Sequence, residues 1–167
     1  LLEDSELDKI CEINSELNSH IDDSDSAGNI LWTPKTFEFS NMFSYGEGNL
    51  IRFDKAQGIM GIFAPNASGK SSMWDALSFC IYDKTSRTTL SKNVLNNRKS
   101  TFYCKFNFEI DGVDYFIERK AKYVRRGTSV KVDVDFWRDN NGVIESLNGE
   151  QRKDTNKEIE KYLGKFE

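Results

Sequence analysis

Four consecutive residues, Gly69, Lys70, Ser71 and Ser72, put a residue without a side chain, a long cation and two hydroxyls in the order a polyphosphate needs. They follow an apolar run over 58–63 (GIMGIF) and open a second run over 70–82 (KSSMWDALSFCIY), where Met73, Ala76, Leu77, Cys80 and Ile81 recur at helical spacing with few charges. The pattern predicts strand, turn and buried helix. A turn that opens a helix offers converging backbone N–H groups and the positive end of the helix dipole, and both favour bound phosphate. In that setting Gly69 lets the backbone approach the phosphates and Lys70, the candidate catalytic residue, reaches the β- and γ-phosphates. Ser71 is the candidate Mg²⁺ ligand and Ser72 bonds the α-phosphate. Against the pattern G-x-x-x-x-G-K-[ST], Ala64 replaces the first glycine, so an alanine at positive φ, at a cost of about 1 kcal/mol, is expected there. The bland alternative is an ordinary strand-to-helix turn with a surface lysine.

The elements that must position this loop are legible in part. Strand-like runs occur at 36–41, 49–53 and 58–63. Residues 101–110 alternate strictly, with Phe102, Cys104, Phe106, Phe108 and Ile110 on one face and Tyr103, Lys105, Asn107 and Glu109 on the other. Asp111-Gly112 then makes a two-residue turn into a strand over 113–123, and Val130, Val132, Val134 and Phe136 mark a third alternating strand. A final helix is expected over 154–163, with a capping box from Thr155 to Glu158, the apolar residues Ile159, Tyr162 and Leu163, and a stop at Gly164. Upstream, Leu7, Ile10, Cys11 or Ile13, Leu17 and Ile21 suggest an acidic amphipathic helix, and the polar stretch 22–29 a connector. The chain is therefore divided into 1–25, helix and linker, and 26–167, an α/β unit. In that unit a mainly antiparallel sheet packs against the sheet that carries the phosphate loop.

Composition narrows the function classes. The 167 residues are 38% hydrophobic and 13% aromatic, which excludes a disordered tail. The net charge is -4, but residues 1–25 carry nine acids and one base, leaving 22 bases against 18 acids in the remainder. Three cysteines, Cys11, Cys80 and Cys104, fit neither a zinc site nor a disulfide framework, and Cys80 and Cys104 fall on apolar faces as core thiols. The single histidine, His20, removes most histidine-based catalysis. Without an apolar run of membrane length or a leader, the chain reads as cytoplasmic, and without a stop signal at either end it reads as a fragment. Two basic clusters, Arg119, Lys120, Lys122, Arg125, Arg126 and Lys131, and Lys84, Arg87, Lys92, Arg98 and Lys99, are candidate DNA surfaces or solvated hairpin faces. Trp74 reads as a packing residue, Phe43 or Tyr45 as a candidate for stacking on adenine, and Asp75 as a water-mediated Mg²⁺ ligand or, more simply, a cap or surface carboxylate.

The run 64–84 (APNASGKSSMWDALSFCIYDK) resembles the Walker A segment of SMC-type ATPases, G-x-N-G-[SA]-G-K-S-S followed by an apolar helix with Asp-Ala. It matches at Asn66, Ser68, Gly69, Lys70, Ser71, Ser72, Asp75 and Ala76 and carries Ala64 and Ala67 for glycines. Phe39-Ser40-Asn41 with Tyr45 resembles the first strand of these heads, where a polar pair lies near the nucleotide. Tyr115-Phe116-Ile117-Glu118-Arg119 resembles the Y-x-I-x-R strand of the SbcC branch, the DNA double-strand-break-repair ATPases, and the Ile159 to Gly164 helix end fits the segment before that branch's coiled coil.

The resemblance covers roughly 36–164 and implies the N-terminal lobe of an ABC-class P-loop ATPase head. ATP would then lie on Ser40, Asn41, Asn66, Ala67, Ser68, Gly69, Lys70, Ser71 and Ser72, with Mg²⁺ on Ser71. It implies a glutamine loop, signature, Walker B pair and switch histidine elsewhere, since neither Gln57 nor Gln151 has the glutamine-loop context. The implied function is ATP-driven dimerisation of two heads in DNA break repair or recombination. The implied partners are DNA, a C-terminal lobe, a second head and a nuclease subunit, in a cytoplasmic or virus- or phage-encoded protein and without membrane. The lobe alone would be nearly inactive as an ATPase. A transporter ATPase subunit, a RecF- or RecN-like ATPase, a P-loop kinase and a scaffold with a decayed loop are the alternatives.

Overall fold

The computed structural model describes residues 30–56, 58, 59, 61–124 and 129–166, together with Lys9. The expected acidic helix, the connector 22–29 and the division at residue 25 lie outside the described residues, as do Cys11, His20, Arg125 and Arg126.

Strict alternation over 101–110 makes β3 (Thr101–Ile110) the spine of the fold. Around it β1 (Thr33–Ser40), β2 (Asn49–Arg52), β4 (Val113–Tyr123), β5 (Val130–Asn140) and β6 (Val143–Ser146) complete a 6-stranded sheet in the order β2-β1-β3-β4-β5-β6. Every pairing is antiparallel. Register places Phe37 opposite Phe106 and Phe106 opposite Ile117, so one face is a continuous floor of buried aromatic and branched side chains. The two hairpin turns that lead into β4 and β6 each hold two residues at positive φ, Asp111-Gly112 (φ 50 and 79) and Asn141-Gly142 (φ 54 and 90). Such turns match the right-handed twist of the strands. β6 was not anticipated, although Asn141-Gly142 is its signal.

Three helices among the described residues, one of them a single turn, cover the buried face, giving two layers around one core. α1 (Lys70–Tyr82), with the bounds its periodicity implied, buries Ala76, Phe79, Cys80 and Ile81, and Phe79 meets Phe102 edge-on at 5.5 Å. The short α2 (Ser91–Val94) buries Val94, and α3 (Arg152–Leu163) lays Tyr162 against Tyr115 at 5.2 Å and Phe136 at 5.4 Å. The expected capping box is replaced by a different arrangement. α3 starts at Arg152, so Thr155 lies within it, and its buried hydroxyl accepts the Gly149 N–H at 3.0 Å. Gly164, at φ 81, ends the helix as expected. Trp74, expected in the core, is half exposed.

The expected strand at 58–63 does not pair at any of its described residues. Ile59 and Phe63 are fully exposed and Ile62 is 46% exposed. A strand is held by neighbours on its own sheet, and none of the described strands runs beside this segment. The α/β fold class stands, but among the described residues the phosphate loop is carried by α1 and the antiparallel sheet.

Arg119 corrects the expected basic surface. This β4 residue is fully buried, its Nε donates to the Cys80 carbonyl at 2.7 Å, and one terminal nitrogen donates to the Ile81 carbonyl at 3.1 Å and to Asn156 Oδ1 at 2.9 Å. Those carbonyls belong to the last turn of α1, where backbone acceptors lack intrahelical partners and the dipole favours a cation. Asp83 lies 3.7 Å from the guanidinium and also takes Arg152 Nε at 2.7 Å and Asn156 Nδ2 at 2.9 Å. Burial pushes the Arg119 guanidinium below its ordinary value, against the pull of Asp83. Arg119 is thus a core bolt joining α1, β4 and α3. Beside it Cys80 and Cys104 are buried free thiols, and burial pushes the Cys104 thiol well above its ordinary value. Among the described residues no helix is long and apolar enough to cross a membrane.

Candidate functional site

Between the exposed Ile62 and Phe63 and α1 the backbone makes a tight loop, with the Ser68 N–H on the Pro65 carbonyl at 3.3 Å. Positive φ falls at Ala67 (63) and Gly69 (96), not at Ala64, so the expected strain moves three residues along the loop. Left-handed backbone is disfavoured for alanine by about 1 kcal/mol. Ala67→Gly is therefore expected to raise stability by about 0.5 kcal/mol after glycine's unfolded-state entropy is counted, read as a higher denaturant midpoint at unchanged slope. Gly69 has no such latitude. A Cβ there would sit 3.0 Å from Ser44 Oγ and 3.5 Å from the Tyr45 ring, and the Tyr45 hydroxyl donates to the Gly69 carbonyl at 3.1 Å.

The first i to i−4 bond of α1 runs from the Met73 N–H to the Gly69 carbonyl at 3.2 Å, which leaves the N–H groups of Lys70, Ser71 and Ser72 without intrahelical acceptors. They open on a cavity of about 380 Å³ lined by Ser44, Asn66, Ala67, Ser68, Gly69, Lys70, Ser71, Ser72 and Arg87. The Lys70 ammonium folds over the loop and donates to the carbonyls of Ala64 and of Pro65, the latter at 2.8 Å. Seven of the sequence-derived site residues, those over 66–72, are thus brought together.

Ser40 and Asn41 are not brought to this cavity. The Ser40 hydroxyl accepts the Gly48 N–H at 3.0 Å, and Asn41 lines another cavity with Thr101, Tyr103 and Lys120. Ser44 reaches the loop from the same segment instead. Tyr45 is pinned beneath Gly69, whereas Phe43 lines a neighbouring cavity that also contains Ser44, Asn93, Asn96 and Arg98. Asp75 is neither a helix cap nor a surface carboxylate. It is 5% exposed, accepts the Ser86 hydroxyl at 2.8 Å and pairs with Arg87 Nε at 2.8 Å. Arg87, which in sequence belonged only to a basic cluster, puts a terminal nitrogen 3.4 Å from Ser72 Oγ and is the second cation of the cavity. No local pattern announces it, because the turn after α1 has to fold back before it faces the loop.

The donor set suits a nucleotide polyphosphate: three open N–H groups, two cations and a glycine whose missing side chain leaves room for close approach. It suits Mg²⁺ only together with that ligand. Among the described residues no cluster of three or more His, Cys, Asp or Glu is present, and an octahedral Mg²⁺ is commonly held by one protein oxygen, phosphates and water. Ser71 is the residue that would supply that oxygen.

Comparison with known proteins bears on the family and the fold. The model of a family described as an AAA domain matches residues 37–167. An uncharacterised protein of Acanthamoeba polyphaga mimivirus is 34% identical over 142 residues, covering 81% of this chain and 10% of that protein. The SbcC component of nuclease SbcCD from Bacillus subtilis (strain 168) is 28% identical over 142 residues, covering 78% and 12%. The chain thus spans about a tenth of the length of these relatives. Among solved structures, the recombination mediator protein RecF with ATP superposes with a TM-score of 0.52 at 18% identity, over 71% of this chain and 28% of that one, a likeness of fold. With its phosphate loop, buried following helix and antiparallel sheet, the chain belongs to the AAA-domain family and has the N-terminal-lobe fold of SMC-like, SbcC-type P-loop ATPases.

Proposed function

We propose that this chain is the MgATP-binding lobe of an SMC-like, SbcC-type ATPase that works in DNA double-strand-break repair or recombination. The observation that carries the reading is the cavity over the first turn of α1, where the open N–H groups of residues 70–72 converge with Lys70 and Arg87. Triphosphate entering it replaces the Ala64 and Pro65 carbonyls as the acceptors of the Lys70 ammonium, so the lysine exchanges two neutral acceptors for charged ones. Bound Mg²⁺ would neutralise phosphate charge beside Ser71. A polarised water and a base for hydrolysis come from a C-terminal lobe and a second head, and the exposed Ile59, Ile62 and Phe63 are apolar surface suited to be covered by such a lobe. ATP-driven dimerisation of two heads, a nuclease subunit and a cytoplasmic setting, in a cell or in a virus-infected host, complete the reading, and the mimivirus relative supports the last of these. Titration of the full-length protein with MgATP tests it, and absence of saturable binding would overturn it. A RecF-like ATPase is the second reading, favoured by the likeness of fold to RecF.

DNA contact rests on fewer cations than the sequence suggested. Arg119 is buried, Lys120 pairs with Glu118 at 2.6 Å, Lys131 with Asp133 at 2.9 Å and Lys99 with Glu47 at 2.7 Å. Lys84, Lys92, Arg98 and Lys122 have no ion-pair partner among the described residues and form the available footprint. Duplex affinity of the full-length protein is expected to fall about tenfold or more between low and physiological salt, and the double substitution K84E/K92E to weaken the dependence. Salt-independent binding would remove the electrostatic footprint.

A further inference from the structure

The carboxylate of Asp75 sits at an unusual place. It is on the covered side of the phosphate-loop helix, one turn from Ser71 and Ser72, and almost without solvent. An anion so close to a polyphosphate cavity opposes the ligand unless it has another task. Its side-chain partners, Ser86 Oγ at 2.8 Å and Arg87 Nε at 2.8 Å, both come from the connector that follows α1. That connector is itself a built arch. Buried Thr85 accepts the N–H groups of Arg87 at 3.2 Å and Thr88 at 2.9 Å and donates to the Thr88 carbonyl at 2.9 Å, and the Thr88 hydroxyl ties onward to Asn93 Nδ2 at 3.0 Å. The arch presents one charged group to the cavity, Arg87.

Arg87 has a planar fork of five N–H donors, and Asp75 Oδ2 holds it as an ion pair 2.8 Å from Nε, off the line of the N–H bond. The terminal nitrogens are thereby turned toward the helix, with one of them 3.4 Å from Ser72 Oγ, the hydroxyl that faces the α-phosphate when Lys70 holds the β- and γ-phosphates. Half of the Arg87 side chain is exposed, so without a fixed partner the guanidinium would sample solvent.

We infer that Asp75 is a positioning residue for the nucleotide site, holding Arg87 through its Nε so that the guanidinium contacts the α-phosphate of a bound nucleotide. The inference rests on the proposed nucleotide reading and goes beyond it in two respects. It gives the buried acid a role through another side chain, and it assigns Arg87 to a phosphate common to ADP and ATP.

The test is a double-mutant cycle on nucleotide affinity in the full chain, with MgADP and MgATP as probes and thermal melting of every variant alongside. Asp75→Asn keeps the Ser86 contact and removes the charge. It is expected to weaken both nucleotides by about tenfold, as is Arg87→Ala, and the double variant to be no weaker than Arg87→Ala alone. Ser86→Ala, which removes the other anchor but neither charge, is expected to shift both affinities less and in the same direction. Additive losses, or full affinity in Asp75→Asn, would overturn the positioning role. A loss confined to ATP would overturn the α-phosphate assignment. If Lys70→Ala leaves nucleotide binding intact, the underlying site reading fails, and that result is distinct from a normal Lys70 effect with silent Asp75 and Arg87.

Discussion

Lys70→Ala lowers the affinity of the full-length protein for MgATP by about a hundredfold and removes turnover, with no change in melting temperature. Both halves of this expectation come from the same geometry. The ammonium sits at the mouth of the cavity, and its partners are the exposed loop carbonyls of Ala64 and Pro65, which water can satisfy once the side chain is gone. The fold therefore loses little. The ligand loses two charge-assisted hydrogen bonds, each of about 1.5–3 kcal/mol, where every 1.4 kcal/mol is about tenfold in affinity. Calorimetric titration with MgATP, paired with thermal melting, reads both quantities. Binding within about threefold of the parent would show that the loop is an ordinary strand-to-helix turn and that the lysine is a surface residue.

The second large effect is on stability. Arg119→Met is expected to destabilise the fold by about 3–5 kcal/mol and lower its melting temperature by about 10 °C or more. Methionine fills much of the volume but leaves the Cys80 and Ile81 carbonyls and Asn156 Oδ1 without their donor, and it removes one of the two cations beside Asp83. Arg119→Lys should not rescue it, because a single ammonium cannot reproduce a fork that reaches α1 and α3 together. Lys122→Met, nearby on β4 and exposed, serves as the control and is expected to stay within about 0.5 kcal/mol. If the two substitutions melt alike, Arg119 is not the bolt between α1, β4 and α3.

These two residues mark how far the chain could be read before folding. The role proposed for Lys70 is written locally, because a loop contact needs only its neighbours in sequence: Gly69 before it, hydroxyls after it and the periodicity of α1. The same holds for β3, where alternation over ten residues left one choice of face, and for the Asp111-Gly112 turn, whose residue types match its two positive φ angles. Arg119 is the opposite case. In sequence it stands beside Lys120 in what reads as a basic run, but strand alternation sends Lys120 to solvent and Arg119 to the core, where the end of α1 awaits a cation. The alternation was visible; the acceptors were not, since they lie 38 and 39 residues upstream.

The loop itself shows the same division. Motif position placed the strained residue at Ala64, but the turn closed through Pro65 moved it to Ala67. Periodicity made 58–63 a strand, yet hydrophobic alternation specifies a surface to be covered and cannot supply the neighbour that covers it. Ser40 and Asn41 were placed near the nucleotide by resemblance, whereas the backbone that follows β1 brings Ser44 to the loop. From the sequence come the phosphate loop, its helix and the alternation of β3 and β4 about their turn, because each is written in residues a few positions apart, whereas the pairing of β1 with β3 joins residues about seventy positions apart. Tertiary structure alone decided which cations are buried, paired or free, and that Asp75 and Arg87 meet at the loop. A charge takes its meaning from what surrounds it in space, and those surroundings are assembled from distant parts of the chain.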